Sequence, residues 1–378
     1  MPQKEYFGIN SIKKLRDILQ KHNPKNIFLV TGKTSYKKCG AKNILDKILK
    51  EYNVARFYDF DVNPKLNDIE KGIKLFKSKK CDFVIAVGGG SVMDVAKSIN
   101  SFAANKGKPE DYLQKGKPIK KKGKILVAIP TTAGSGSEAT KFAVIYINKT
   151  KYSLDNEFIL PDYSIVDPQF IMNLPKSITA SAGMDALSQG IESYWSINST
   201  NESKKYAKQA IRLAIKNLAN AVNGNTSSRI AMAKAAHLAG KAINITKTTA
   251  CHAISYPITS YFNVPHGHAV ALTIPYILVY NSNVTDEDLL DKRGVSYVKN
   301  TINEIAKFLG TSNVEDASKK VMDLMEQIGL NTKLSELGIN TDKDIMIIIK
   351  NGFDPQRVKN NPRALTKNSL INILNGIR

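Results

Sequence analysis

The sequence predicts an α/β N-terminal domain, a parallel sheet with helices on both faces, followed by an all-helical C-terminal domain. Up to about residue 170, short β-branched apolar runs alternate with helical patterns, the texture of a parallel sheet. Those runs are continuously apolar, which fits strands buried on both faces. After Pro175 long helical patterns take over. The segment DPQFIMNLP, with its two prolines, marks the change, and the domains are drawn as 1–172 and 173–378.

The elements follow in order. Asn26–Val30 (NIFLV) reads as a strand and 41–52 as a helix. Residues 54–60 read as a second strand, and 68–78 as a helix with Ile69, Ile73 and Phe76 on one face. FVIAV (83–87) reads as a buried strand, followed by a helix from Ser91; ILVAI (125–129) reads as another strand. The helical half reads as 177–195, 203–222, 229–245, 298–309, 317–328 and 342–351. Ala231, Ala235, Ala236 and Ala239 give one of these a face suited to close packing.

Composition bounds the function. At 378 residues and 42% hydrophobic, the chain can bury two cores. Cys39, Cys81 and Cys251 lie far apart, which argues against a disulfide framework or a thiolate zinc module and fits a reducing compartment. The formal charge is +22, but the lysines are dispersed and no nucleic-acid-binding motif accompanies them. The excess is expected to be a solvated surface that attracts anionic substrates. The N-terminal stretch lacks a secretory pattern, and no apolar run reaches the ~18 residues of a membrane span. A cytoplasmic protein with neither nucleic-acid nor membrane partners is expected.

Two turns carry ligand-binding character. FVIAV runs into Gly88, Gly89, Gly90 and Ser91, then a helix. Glycines let backbone N–H groups approach phosphate oxygens, and a helix N-terminus adds unpaired donors. The pattern is neither GxGxxG nor a P-loop, and three glycines alone also fit a plain strand-to-helix turn. Asp94 and Lys97 share a face of that helix, a spacing that also fits a surface ion pair. A second turn follows the next strand and contains Thr131, Thr132, Gly134, Ser135 and Gly136. Its position, at the carboxyl end of a parallel strand, is where open α/β sheets bind ligands.

A metal site is the other candidate. His252 and His266 are two of five histidines and lie fourteen residues apart, a spacing that suits a helix end and a returning loop converging on one ion. Asp185 and Gln189 sit one turn apart on a helical face. Two imidazoles and a carboxylate suit Fe²⁺ or Zn²⁺ with one position open.

Together GGGSVMDVAKSI, PTTAGSGSEAT, LPDYSIVDPQF, GMDALSQGIESYW, VPHGHAVALTIPYILVYN and NPRALT resemble the iron-containing (group III) metal-dependent alcohol dehydrogenase family, in order and over almost the whole chain. The resemblance implies a dehydroquinate synthase-like fold, with a dinucleotide-binding domain, a helical metal domain, the active site in the cleft between them, and a homodimer. Carried onto this chain, the family's metal ligands fall on Asp185, Gln189, His252 and His266. The family usually has His at Gln189, which either ligates through its amide oxygen or leaves three ligands. Tyr256 stands where a second His is usual, and His268 where an aliphatic residue is more common. His252, His266, His268 and Tyr256 form the implied catalytic set. The implied cofactor contacts are Asn63, Gly88, Gly89, Gly90, Ser91, Asp94, Thr131, Thr132, Ser135, Thr140 and Lys151.

Gly32 occupies the position where many NAD-using relatives carry an Asp on the ribose. Without that carboxylate a 2′-phosphate is not repelled, and Lys33, Thr34 and Ser35 are placed to hold it, which favours NADP(H) over NAD(H). The histidine motif is similar to the phosphonoacetaldehyde reductase branch. Lys247 and Thr248, the latter read as one helical turn before His252, are the candidates for an anionic aldehyde, with His268 and Phe142 as further substrate contacts and Lys141 and Arg363 as weaker ones. A general NAD-dependent alcohol or 1,3-diol dehydrogenase is the alternative. A lyase of the same fold and a basic nucleic-acid binder are the readings from other classes.

Overall fold

The computed structural model describes residues 2–148, 150–353 and 355–378, with no side-chain description for 355 and 356. The chain divides between Leu174 and Pro175 into two compact units.

The first unit holds a six-stranded, wholly parallel sheet. Its strands are β1 (Lys4–Phe7), β2 (Asn26–Thr31), β3 (Asn53–Phe57), β4 (Phe83–Gly88), β5 (Ile125–Pro130) and β8 (Tyr163–Val166), in the order β1-β8-β5-β4-β2-β3. β6 (Phe142–Ile147) and β7 (Thr150–Asp155) form a separate antiparallel hairpin. The strand side chains alternate between two cores: Phe28, Val30, Val84, Ala86, Leu126 and Ala128 on one face, Ile27, Leu29, Ile85, Val87, Val127 and Ile129 on the other. This double burial explains the unbroken apolar runs. The chain steps outward from β2 to β3, then returns past β2 to β4 and continues to β5. The order therefore reverses between β2 and β4, and the crevice beyond their carboxyl ends is the expected ligand position.

Several expected bounds shift. The helix expected over 41–52 ends at Ile48, capped at Leu49, and the chain turns back with Tyr52 N–H donating to the Leu49 carbonyl at 3.0 Å. The strand expected over 54–60 spans Asn53–Phe57, because its one partner, β2, offers register only as far as Val30 opposite Phe57.

The second unit is helical. Lys176–Trp195, Asn201–Val222 and Thr226–Thr246 pack on one another. Side chains cap the second and third of these: Thr200 and Asn225 accept from Ser203 and Ser228 N–H. Ala250–Phe262, His266–Ala271 and Ile274–Ser282 follow, then Val295–Leu309, Val314–Gln327, Asp342–Asn351 and Lys367–Ile377. Among the described residues no helix is long and apolar enough to cross a membrane.

Candidate metal and cofactor sites

The Lys176–Trp195 helix is buried along nearly its whole second half, so polar residues there face protein rather than water. Asp185, Gln189 and Glu192 lie at i, i+4 and i+7, one stripe of that helix. His252 is the third residue of Ala250–Phe262. That helix ends at Asn263, in the left-handed region, and the chain returns through Pro265 to place His266 at the first position of the next helix. The second imidazole thus comes from a helix start, not from the loop itself.

These elements bring ligand atoms of Asp185, His252 and His266 within 4.8 Å of one another. His252 Nε2 lies 3.4 Å from Asp185 Oδ1, and the two imidazole rings meet edge to face at 5.4 Å. Gln189 donates from Nε2 to Asp185 Oδ1 at 3.0 Å, while its buried Oε1 has no partner. A buried amide oxygen left bare beside a carboxylate and two imidazoles matches a divalent cation's need for oxygen and nitrogen donors. Close packing depends on Gly267: a Cβ there would stand 1.9 Å from the Ser181 carbonyl oxygen and 2.9 Å from Asp185 Cβ.

Glu192, which the sequence reading passed over, completes the arrangement. It is fully buried, and its Oε1 accepts from Thr249 N–H, Thr249 hydroxyl, Cys251 N–H and His252 N–H at 3.1, 2.7, 3.0 and 3.3 Å. Its Oε2 binds His252 Nδ1. The carboxylate fixes the imidazole's orientation and turns Nε2 toward Asp185. Burial lowers the basicity of the His252 imidazole, but the Glu192 and Asp185 carboxylates outweigh it and hold the value up to about 10. Burial likewise opposes ionisation of Asp185, yet its bond to His252 and the nearby His266 keep it below the usual carboxylate range. The signal was available as the heptad stripe of Asp185 and Gln189.

Tyr256 is buried, its ring stacked with His266 at 6.3 Å. His268 stands apart from the cluster. Its Nε2 meets the Asn331 carbonyl at 2.7 Å, and burial lowers its basicity despite that bond, so the ring is a neutral donor held by a structural partner. Thr248 does not lie one helical turn before His252. The preceding helix ends at Thr246, and 247–249 form a link before Ala250. In that link Thr248 is buried and its carbonyl accepts from Asn360 Nδ2 at 3.1 Å. Lys247 is half-buried, at φ 61° and ψ 173°, a region that usually belongs to glycine.

The weaker anion candidates have other partners. Lys141 pairs with Glu157 at 2.5 Å. Arg363 pairs with Asp288 at 2.7 Å, donates to the Tyr280 carbonyl at 2.6 Å and covers the Tyr280 ring. Phe142 opens β6 in the first unit.

In the first unit, β4 leads into the helix Gly90–Ala104, whose N-terminus has no side-chain cap. The second turn folds directly over it. Thr131 N–H donates to the Gly88 carbonyl at 3.0 Å, and a Cβ on Gly89 or Gly90 would stand 3.3 Å from Thr132 or 3.1 Å from Ser135 Oγ. Uncapped amides beneath hydroxyl-bearing side chains form a cradle that fits a dinucleotide pyrophosphate. Asn63 N–H reaches Ser91 Oγ at 3.3 Å.

Asp94 and Lys97 are not a surface pair. Lys97 is 1% exposed and donates to the carbonyls of Ser137, Thr140 and Phe142 at 2.6, 2.8 and 2.8 Å and to the hydroxyls of Ser137 and Thr140 at 3.0 and 3.1 Å. It ties the second turn to the helix after the first. Ser137 Oγ also donates to Asp94 at 3.2 Å. Burial pushes the Asp94 carboxyl up to about 6 and the Lys97 ammonium down to about 8. Lys151, on β7, lies close enough to act electrostatically on Asp94. Lys33, Thr34 and Ser35 are exposed beyond β2.

The comparisons with known proteins agree over the whole chain. Residues 2–168 match the family iron-containing alcohol dehydrogenase, and 179–377 match the Fe-containing alcohol dehydrogenase family, C-terminal. The NAD-dependent methanol dehydrogenase of Bacillus methanolicus is 30% identical, over 99% of this chain and 98% of its own. The phosphonoacetaldehyde reductase of Streptomyces viridochromogenes is 32% identical, over 78% of this chain and 76% of its own. The crystal structure of sulfoacetaldehyde reductase from Bifidobacterium kashiwanohense in complex with NAD+ superposes with a TM-score of 0.89 at 30% identity, covering 100% of this chain and 97% of that one. The chain belongs to the iron-containing alcohol dehydrogenase family, metal-dependent, NAD(P)-linked oxidoreductases of alcohols and aldehydes.

Proposed function

We propose that this protein reduces small anionic aldehydes with NADPH, phosphonoacetaldehyde foremost, to give 2-hydroxyethylphosphonate. The aldehyde takes up hydride from NADPH and one proton from solvent, and NADP+ leaves. When bound, the divalent ion supplies Lewis-acid polarisation of the carbonyl and the nicotinamide supplies the hydride.

The chain's own residues supply the holding and aiming. Asp185, His252, His266 and the Gln189 amide oxygen hold the ion. Glu192 locks the His252 ring, and Gln189 Nε2 locks Asp185. Tyr256 covers the His266 ring. The Cys251 and His252 amides at the start of the Ala250–Phe262 helix are committed to Glu192, so those two donors are not open to an anionic substrate. A cationic side chain is needed in their place. The observation that carries the reading is Lys247, held half-buried in a glycine-like backbone conformation in the link before His252. Such conformations persist where the surroundings impose them, and they cluster at functional sites. Relatives that act on phosphonoacetaldehyde and sulfoacetaldehyde, both two-carbon aldehydes bearing an acid group, support an anionic substrate.

The second reading, a general NAD-dependent primary alcohol or 1,3-diol dehydrogenase, is favoured by the end-to-end match to the methanol dehydrogenase. A panel of phosphonoacetaldehyde, sulfoacetaldehyde, butanal and 1,3-propanediol with metal-loaded protein and both cofactors separates the two. The proposal expects the highest kcat/KM with phosphonoacetaldehyde and NADPH. Equal rates with butanal defeat it.

A further inference from the structure

We propose that Arg56 is the residue that reads the 2′-phosphate of NADP(H), working beside the Gly32 turn. The inference rests on the cofactor reading above and adds to it a specificity-determining residue on a different strand. Arg56 lies on β3 opposite Leu29 of β2 and reaches toward the carboxyl end of that strand. Its Nε donates to Thr31 Oγ1 at 2.8 Å and one Nη2 hydrogen to the Gly32 carbonyl at 3.2 Å. The guanidinium lies 4.8 Å from the Tyr36 ring centre and 4.4 Å from that of Tyr58.

Four anchors therefore fix a planar cation at the β2 side of the point where the strand order reverses. A guanidinium has five N–H donors, and these contacts use two. Among the described residues, Nη1 makes no hydrogen bond and no carboxylate pairs with Arg56. The remaining donors form the fork that recognises phosphate oxygens. Gly32 accounts for the rest. With glycine at this position no acid stands there to bind a ribose 2′-hydroxyl, and any side chain would first have to displace the Ser35 hydroxyl, 2.0 Å from where its Cβ would lie. An unneutralised, immobilised fork where the acid is missing suits a phosphate monoester on the ribose. NADH, which carries a hydroxyl there, gains little from it.

The test titrates NADPH and NADH against the full-length protein by nicotinamide fluorescence, with 2′,5′-ADP and 5′-ADP as competitors. Wild type is expected to bind NADPH and 2′,5′-ADP about ten-fold or more tighter than NADH and 5′-ADP. Arg56→Gln is expected to erase that ratio, and Arg56→Lys, which keeps the charge without the fork, to restore part of it. NADH binding by the same variants reports an intact turn. An equal loss for NADPH and NADH would mean that Arg56 only builds the turn or stacks on adenine, and it overturns the proposal. So does an unchanged ratio in the Gln variant. Wild type that prefers NADH overturns the proposal and the NADPH reading but leaves the dehydrogenase assignment standing. Wild type that binds neither nucleotide overturns the cofactor site itself.

Discussion

Glu192 holds His252 at two points, by the ring Nδ1 and by the backbone N–H, from one turn beyond Gln189 on the helix that also carries Asp185. Carboxylates in this relation raise the basicity of a ligand imidazole and fix which nitrogen faces the metal. Glu192→Gln, close to isosteric, is expected to weaken metal binding about 10–100-fold. Glu192→Ala strands the amides of Thr249, Cys251 and His252 and is expected to cost about 3–5 kcal/mol of stability. Metal competition with a chromophoric chelator and urea unfolding measure the two effects. Unchanged metal affinity in the Gln variant would reduce Glu192 to a helix cap.

Gln189 allows a test of the ligand count. If its bare Oε1 is a fourth donor, Gln189→His should raise Fe²⁺ affinity about ten-fold by exchanging an amide oxygen for an imidazole. Gln189→Ala should lower it and leave Asp185 freer to move. Chelator-stripped protein should be inactive and regain activity on readdition of the ion. Affinities unchanged across both variants would place Gln189 outside the ligand set.

Asp94 makes part of the stability pH-dependent. Its carboxyl sits at about 6 against an ordinary 3.8, chiefly because it is buried. The folded chain therefore holds this proton more tightly than the unfolded chain. The contribution to stability is full below about pH 4 and is lost as pH rises through about 6. Asp94→Asn keeps a neutral side chain at every pH. Its stability relative to wild type should rise between pH 4 and pH 6.5, as followed by urea unfolding. Parallel stability curves for the two proteins would show that Asp94 does not titrate this way.

Gly267→Ala tests the contact that seats His266. The added methyl would meet the Ser181 carbonyl and Asp185 Cβ, forcing apart the two helices that carry metal ligands. A loss of about 1–3 kcal/mol is expected from the overpacking, along with most of the metal affinity. A variant that unfolds less readily than this yet binds no metal would separate seating of the ligand from global stability. Retained metal affinity would show that the helices can slide without cost to the site.

How legible each part was in the sequence depended on how local its cause is. The strands at 26–31, 83–88 and 125–130 were readable because burial on both faces leaves an unbroken apolar run. β1 was not, because an edge strand with the sequence KEYF, mostly exposed, carries no such run. β8 is four residues long, too short a run to stand out as a strand. Residue type and spacing made Asp185, His252 and His266 candidates, and the family's motifs gave the grouping its weight, since their convergence depends on a helix ending at Asn263 and a close approach at Gly267. Lys97 shows the limit most clearly. Its spacing from Asp94 suggests a surface pair, whereas all its partners lie 40–45 residues further on, in a turn whose path no local pattern predicts.

Lys247 bears on the substrate and on stability at once, and the two effects can be separated. At φ 61° and ψ 173° a lysine carries backbone strain of about 1–3 kcal/mol that a glycine avoids. Lys247→Gly should therefore hold or raise the melting temperature while removing the ammonium. If that ammonium holds the substrate's acid group, KM for phosphonoacetaldehyde should rise about ten-fold or more, and KM for butanal should hardly move. Lys247→Arg should keep the preference for the anionic aldehyde, although the strain remains. A KM that rises alike for both aldehydes would mean that the link shapes the pocket without reading charge. A KM that moves for neither would send the search for the anion-binding group elsewhere in the helical unit.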